Sequence, residues 1–417
     1  MIMRFLMLIS LLSFTIGYAQ QAEPGRPLSI EEAIGIALNN NPGIKASQEK
    51  INAASGKLWS GISLPAPEVS LNYEFIPSGR PLNSYSEREF GITQSIEFPT
   101  NYLLRRSKFS DERQIAENEF CQTQLSVMAE VKHAYFNTLS KQEELKLAKE
   151  NLAIAEDFYK KAEIRYNTGE ATHLERLTAK VQYTEAVNSL NIRQNELKSV
   201  LADLSFAMGY GRDEKEESYR LSDSLTYEPV NFTLDKLLEA EASGNPQLRI
   251  YELKLNTSSV EKSLAWTGLL PSFSLSYFNQ SRDGINGFYG AAIGVTVPLW
   301  FMFDQKGKIQ EAEANRSIAE SELKGARNEF YLKVNKAFTE YQIADQQVRL
   351  YRSEILPQSE EVYRAASKSY EAGEITYIEF LQARQTVISS KSNYINTLLS
   401  YNTALIELEE AVGKRLK

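Results

Sequence analysis

Tyr166-Asn167-Thr168-Gly169-Glu170-Ala171-Thr172-His173-Leu174-Glu175 decides how this chain folds, because of what lies on either side of it. Between Thr100 and Met208 there is no proline, and Gly169 is the only glycine. One unbroken helical pattern runs into the decapeptide and another runs out. On the approach, Leu145, Ala148, Leu152, Ala155, Tyr159, Ala162 and Tyr166 are spaced alternately by three and four. That is a coiled-coil seam, which keeps one helix face against a partner over many turns. Glycine suits the reversal, since ending a helix in the left-handed conformation carries no Cβ penalty there. A helix from Tyr102 to Tyr166 is about 95 Å long at 1.5 Å per residue, too long for a globular domain. The chain then repeats itself. Tyr370-Glu371-Ala372-Gly373-Glu374-Ile375-Thr376-Tyr377-Ile378-Glu379 shares five of ten residues with the first decapeptide, 204 residues later.

The N-terminus points to export. Met1–Ala19 has one positive charge (Arg4), an apolar core from Phe5 to Leu12, and Gly17-Tyr18-Ala19 before Gln20, which predicts a signal peptide over 1–19 and a mature start at Gln20. The apolar run is shorter than the roughly 20 residues of a membrane-spanning helix. No cysteine follows it, so a lipid anchor is not expected.

The formal net charge of −8 becomes −9 without Arg4, which argues against nucleic acid as a partner. The single cysteine, Cys121, leaves no disulfide framework, and its place between Phe120 and Leu125 predicts plain packing. The two histidines, His133 and His173, stand forty residues apart without metal-ligand spacing, so no metal site is expected from them. There is no G-x-S-x-G, Walker loop or G-x-G-x-x-G, hence no catalytic constellation, no cofactor and no enzyme.

In chain order, Ser29-Ile30-Glu31-Glu32 is a capping-box pattern opening a helix through Leu38. Asn41-Pro42 breaks it, and a second helix follows from Ile44 to about Ser60. Then the period changes. Val69, Leu71, Tyr73 and Phe75 alternate with Ser70, Asn72 and Glu74, and Phe90, Ile92, Ile96 and Phe98 alternate with polar or small residues. The strands are expected at about 68–76 and 88–98, with a helical hairpin over 102–208. The second half replays this plan. Asn245-Pro246 matches Asn41-Pro42, and strands at about 272–279 (Phe273, Leu275, Tyr277) and 288–298 (Tyr289, Ile293, Val295) precede a hairpin over 305–412 with a bend at Pro357. Repeat 1 thus covers 20–210, an irregular charged connector 211–232, and repeat 2 residues 233–417.

Strands of about ten residues suit a tilted bilayer crossing, apolar outside and polar inside. Leu71, Tyr73, Phe75, Ile92, Leu275, Tyr277, Ile293 and Val295 are the candidate lipid-facing residues, and Tyr73, Phe75, Phe98, Tyr277, Phe278, Tyr289 and Trp300 would form interfacial girdles. A small soluble sheet with one buried face is the alternative. Four strands cannot close a barrel, so lipid-facing strands would have to be pooled among protomers.

With this order of elements the chain resembles the TolC family of outer-membrane efflux ducts. The resemblance rests on Leu28-Ser29-Ile30-Glu31-Glu32-Ala33 with Asn40-Asn41-Pro42, on the two Tyr-x-x-Gly-Glu turns, and on Ile355-Leu356-Pro357, and it spans essentially the whole mature chain. It implies a mostly α fold with a small β part in two tandem repeats. It also implies a homotrimer with a twelve-stranded barrel in outer-membrane lipid and an α-helical periplasmic tunnel. The implied partners are a periplasmic adaptor (membrane fusion) protein and an inner-membrane pump of the RND type. The adaptor would dock at Thr168, Gly169, Glu170, Thr172, Gly373, Glu374 and Thr376. Glu379, six residues past the second turn glycine, would line the periplasmic gate, with Glu175 as its first-repeat counterpart. Gln382 and Ile375 replace a second acid and a base of the family pattern, which predicts a single acidic ring less firmly latched by ion pairs. Drug or metal-cation efflux, a type I protein-secretion duct and a soluble periplasmic coiled-coil scaffold all share these heptads. The scaffold would not need amphipathic strands placed alike in both repeats.

Overall fold

A computed structural model describes residues 26–211, 219–239, 244–299 and 303–416. The signal peptide read at Met1–Ala19, the mature start at Gln20 and the girdle residue Trp300 lie outside the described residues. No helix among the described residues is long and apolar enough to cross a membrane.

Repeat 1 begins with β1 (Arg26–Leu28), α1 (Ile30–Asn40) and α2 (Pro42–Gly61). Ser29 and Glu32 form the capping box of α1, and the Asn41 side chain accepts the Gly43 N–H at 2.7 Å, so the Asn-Pro pair that stops one helix also starts the next. A hairpin of β2 (Glu68–Glu74) and β3 (Glu87–Ile96) follows. Next come α3 (Pro99–Asn167) and α4 (His173–Ala207). The 69 residues of α3 span about 100 Å. Ala148, Ala155 and Ala162, seven residues apart on the expected seam, are all buried, since small side chains let the helices approach closely.

Repeat 2 comprises α6 (Pro246–Thr267), capped by Asn245, the hairpin β5 (Ser272–Arg282) and β6 (Ile285–Thr296), then α7 (Asp304–Leu350), α8 (Leu356–Glu371) and α9 (Tyr377–Val412). Arg282 pairs with Ile285 across Asp283-Gly284, whose φ values of 49° and 79° are those of a type I′ turn. The hairpin is therefore tighter than the strands expected at about 272–279 and 288–298 would make it, each strand running further towards the turn.

The bend expected at Pro357 is resolved as a π-helical turn at Tyr351–Ile355. The cause is visible in the repeat. Val131, Ala134 and Tyr135 correspond to Val334, Ala337 and Phe338 at an offset of 203, whereas the turn glycines correspond at 204. One extra residue must be absorbed between them, and a wider turn does so without breaking the helix. The same turn makes room for the ring of Pro357, which lacks an N–H and crowds the carbonyl four residues back.

The connector is less irregular than its composition predicts. Its strand β4 (Tyr219–Leu221) pairs in parallel with β1, and a short helix, α5 (Leu234–Leu238), closes it. Between them the chain straps onto repeat 2. Tyr401 Oη donates to Glu228 O at 2.7 Å, Tyr341 Oη to Val230 O at 2.6 Å, and Tyr227 Oη to Asp345 at 2.6 Å. Around this strap lies the main core, with Val131, Tyr135, Leu204, Met208, Val334, Val348, Leu408 and Val412 all nearly inaccessible. Cys121, expected to pack, is exposed: it stands one residue, about 100° of helix, past Phe120, which faces that core.

Candidate functional site

Two surfaces could carry function, one at each end of α3. At the first, the two hairpins join into one antiparallel sheet in the order β2-β3-β5-β6. The register places Leu71 opposite Phe90, Ile92 between Val69 and Tyr277, and Leu275 opposite Ile293, with Phe273 opposite Val295. Partners opposite each other in antiparallel strands share a face, so these residues form one apolar surface. All of the candidate lipid-facing residues except Phe75 lie in the strands on this face, and each is exposed; Ile293 keeps 78 % of its surface. Phe75 falls one residue beyond β2 with φ of 54°, so the strand ends before it. Its left-handed backbone breaks the alternation that made it look like a strand residue.

The opposite face holds Ser70, Asn72, Glu89, Thr93, Ser274 and Ser276, and Thr93 and Ser276 share a hydroxyl–hydroxyl hydrogen bond of 2.9 Å. The sheet thus has one apolar and one polar face, and the apolar side chains are exposed.

At the far end, both hairpins turn at glycines with positive φ, 83° at Gly169 and 76° at Gly373. Thr168, Gly169, Glu170, Thr172, Gly373, Glu374 and Thr376 are all exposed. Thr172 and Thr376 are the N-caps of α4 and α9, accepting the N–H of Glu175 at 3.1 Å and of Glu379 at 3.3 Å.

From there the two glutamates diverge. The Glu379 carboxylate folds back to accept the Thr376 N–H at 2.7 Å and its hydroxyl at 2.9 Å, completing a capping box on an exposed surface. Those two hydrogen bonds hold its carboxyl below the usual carboxylate range. Glu175 instead reaches across to repeat 2. Its Oε1 accepts from Arg165 Nη1 at 3.1 Å and from Tyr370 Oη at 3.0 Å, and Tyr370 Oη also accepts from Arg165 Nη1 at 3.0 Å. Only 16 % of the Glu175 side chain is exposed. Burial, with the neighbouring Glu175 carboxylate, pushes the Tyr370 phenol up to about 12.

Sequence reasoning assigned roles to neither Arg165 nor Tyr370, although Tyr370 opens the second decapeptide. The triad is reinforced by stacked rings. Phe158 of α3 lies 4.4 Å from Phe380 and 5.9 Å from Tyr370. Higher up, buried Arg384 of α9 donates to Asn151 O and to its side-chain carbonyl on α3. The two hairpins are thus joined at their tips by the hydrogen bonds of the Tyr370 hydroxyl with Arg165 and Glu175, whose ion pair closes the first hairpin, and by a cluster of aromatic rings. Among the described residues, no group of three or more His, Cys, Asp and Glu side chains gathers as a metal site would require.

Two tandem helical hairpins joined to one amphipathic four-stranded sheet define a class: mostly helical chains of two repeats, each a strand pair set on a long helical hairpin. The chain belongs to the outer membrane efflux protein family, whose pattern matches residues 33–210 and again residues 237–414. Among its relatives is the cobalt-zinc-cadmium resistance protein CzcC of Cupriavidus metallidurans, 21 % identical over 392 residues, which cover 94 % of this chain and 91 % of that protein. The outer membrane protein TolC of Vibrio cholerae is 20 % identical over 406 residues, covering 92 % and 90 %. The crystal structure of the Campylobacter jejuni CmeC outer membrane channel superposes with a TM-score of 0.74 at 18 % identity, over 92 % of this chain and 85 % of that one.

Proposed function

We propose that this chain is the outer-membrane duct of a tripartite efflux pump. In this reading three copies pool their strands into a twelve-stranded barrel above an α-helical periplasmic tunnel. The observation that carries it is the sheet, with an exposed apolar face and, among the described residues, two unpaired edges. Open edges are not tolerated in lipid, and a barrel needs about eight strands or more, so closure takes strands from other copies. The signal peptide at 1–19 would export the chain. A periplasmic adaptor would dock on the exposed tip turns around Gly169 and Gly373, and an inner-membrane pump of the RND type would feed the duct.

The tip then acts as a gate. Arg165, Glu175 and Tyr370 hold each chain's hairpins together, and Glu379 stands exposed at the start of α9, its carboxylate folded onto Thr376 and kept ionised by those hydrogen bonds. Three copies bring three such carboxylates around one axis, where a narrow constriction strengthens their field. The ring attracts cations, disfavours anions and is plugged by multivalent cations. Metal cations are the cargo best supported, by the similarity to CzcC and the acidic tip.

Recording in planar bilayers tests the gate. Glu379→Gln should weaken cation selectivity and multivalent-cation block together; if both survive unchanged, Glu379 does not line the constriction. Fractionation tests the duct itself, for heat-modifiable oligomers in outer membranes are expected. Recovery of a soluble periplasmic monomer would overturn the assignment in favour of a scaffold.

A further inference from the structure

Arg384 of α9 is a buried charge without a counter-ion. The residue keeps 4 % of its surface, and among the described residues it forms no ion pair. Its hydrogen bonds run from Nη2 to the backbone and side-chain carbonyls of Asn151, both neutral, and its Nε is buried with no partner. By contrast, buried Lys132 is met by Glu409, and buried Glu144 by Arg193 at 2.8 Å. Burial pushes the Arg384 guanidinium below its usual range, and the groups that oppose this are the phenols of Tyr363 and Tyr377, not carboxylates. Two turns earlier on α9, the Tyr377 hydroxyl is also buried without a partner. A buried charge is ordinarily paired, because a bare one keeps its full desolvation penalty.

A guanidinium placed only to tie two helices would be packed on every side. Arg384 instead lines a cavity of about 350 Å³ between α3, α8 and α9, whose apolar walls are Leu147, Ile154, Val387 and Ile388. The other charges around it are already matched or in water. Lys391 pairs with Glu360 at 3.4 Å and Arg364 with Glu361 at 2.7 Å, while Glu150 is exposed. The charge left over inside is that of Arg384. Ile154, Tyr363 and Ser367 also line a second cavity, of about 830 Å³, which holds Phe158 and Tyr370, so the two spaces adjoin.

We infer that this crevice binds a small organic anion, its carboxylate on Arg384 and its apolar body against Leu147, Ile154, Val387 and Ile388. Apolar walls with one convergent charge are the make-up of a small-molecule site, and they favour an organic anion over an inorganic one. Such a ligand touches α3 of the first hairpin and α8 and α9 of the second at once. It therefore binds best when the hairpins lie together, and its binding holds them there. The site stands apart from the duct reading: an empty crevice would leave that reading untouched.

Titration calorimetry on the full chain purified in detergent tests it, with 2-naphthoate as the probe and 2-naphthamide as its uncharged match in shape. Naphthoate should bind saturably, and the amide about tenfold to a hundredfold more weakly, the range for one hydrogen bond to a charged group. Arg384→Gln should bring the two compounds to equal affinity. Ile388→Glu is a second test that leaves the arginine in place. It sets a carboxylate four residues from Arg384 on the same helix face, supplies the missing counter-ion, and should abolish naphthoate binding. Bound naphthoate should also slow amide hydrogen exchange over 147–154 and 360–367. Equal affinities in the wild type, discrimination that survives Arg384→Gln, or naphthoate binding that survives Ile388→Glu would each overturn the site. A crevice built for an acidic side chain of a partner protein would ignore both free compounds, and that outcome also overturns it. Binding with unchanged exchange would refute the bridging of the hairpins.

Discussion

Tyr370→Phe isolates the latch at the tips. The substitution keeps the ring that packs against Phe158 and Phe380, 5.9 Å and 5.2 Å away, and removes only the hydroxyl. That hydroxyl donates to Glu175 and accepts from Arg165, each at 3.0 Å. A hydrogen bond to a charged group contributes about 1.5–3 kcal/mol. Arg165 and Glu175 remain bonded to each other at 3.1 Å, and water can reach the small exposed part of Glu175, so much of the loss is recovered. A net weakening of about 2 kcal/mol is expected, which shifts the balance between joined and separated hairpins by about thirtyfold, since each 1.4 kcal/mol is tenfold. Planar-bilayer recording should show longer open dwell times, and Glu175→Gln should show the same change. Identical dwell times in wild type and both variants, all correctly assembled, would refute the idea that this triad restrains the tips. The latch should also respond to alkali. The Tyr370 phenol titrates at about 12 in the folded chain against an ordinary 10.0, so its contribution is intact below about pH 10 and lost as pH rises through about 12. Alkaline opening over that window should be blunted in Tyr370→Phe.

Three further outcomes can be checked directly. Leu71→Arg or Ile293→Arg should cost about 2–4 kcal/mol if the site lies near the bilayer midplane, seen as failure to assemble in outer membranes; normal assembly of both would sink the lipid-facing assignment. Lys132 and Glu409 form a buried ion pair between α3 and α9, with side chains 11 % and 9 % exposed. Lys132→Ala should therefore lower stability by about 3–5 kcal/mol in thermal unfolding, while Lys132→Met with Glu409→Leu recovers most of it. Gly373→Ala meets no atom within 4 Å, so only its φ of 76° is strained; a loss of about 1–2 kcal/mol, confined to the tip, is expected by hydrogen exchange.

Local periodicity made the architecture readable. Spacings of three and four along 145–166, alternation of two along 69–75 and 289–297, and glycines at 169 and 373 are properties of short windows, and each implies an element almost without regard to the rest of the chain. The repeat is equally a property of the sequence, down to the one-residue change of offset that the π turn absorbs. What sequence alone could not decide is which side chains meet across elements. Glu175 and Glu379 occupy the same place in their decapeptides, yet one caps its own helix and the other reaches a tyrosine 195 residues away. Their fates depend on how two coiled coils are rotated against each other, which no window of sequence encodes. Cys121 is a failure of the same kind, for Phe120 beside it faces the core but it is turned outward by about 100° of helix. The charged connector looked like a loose link and became a strap because Tyr341 and Tyr401 of distant helices donate to its carbonyls and its own Tyr227 donates to Asp345. Elements follow from the preferences of neighbouring residues; the latch, the strap and the shared apolar face follow from register and rotation, which only packing of the whole chain determines.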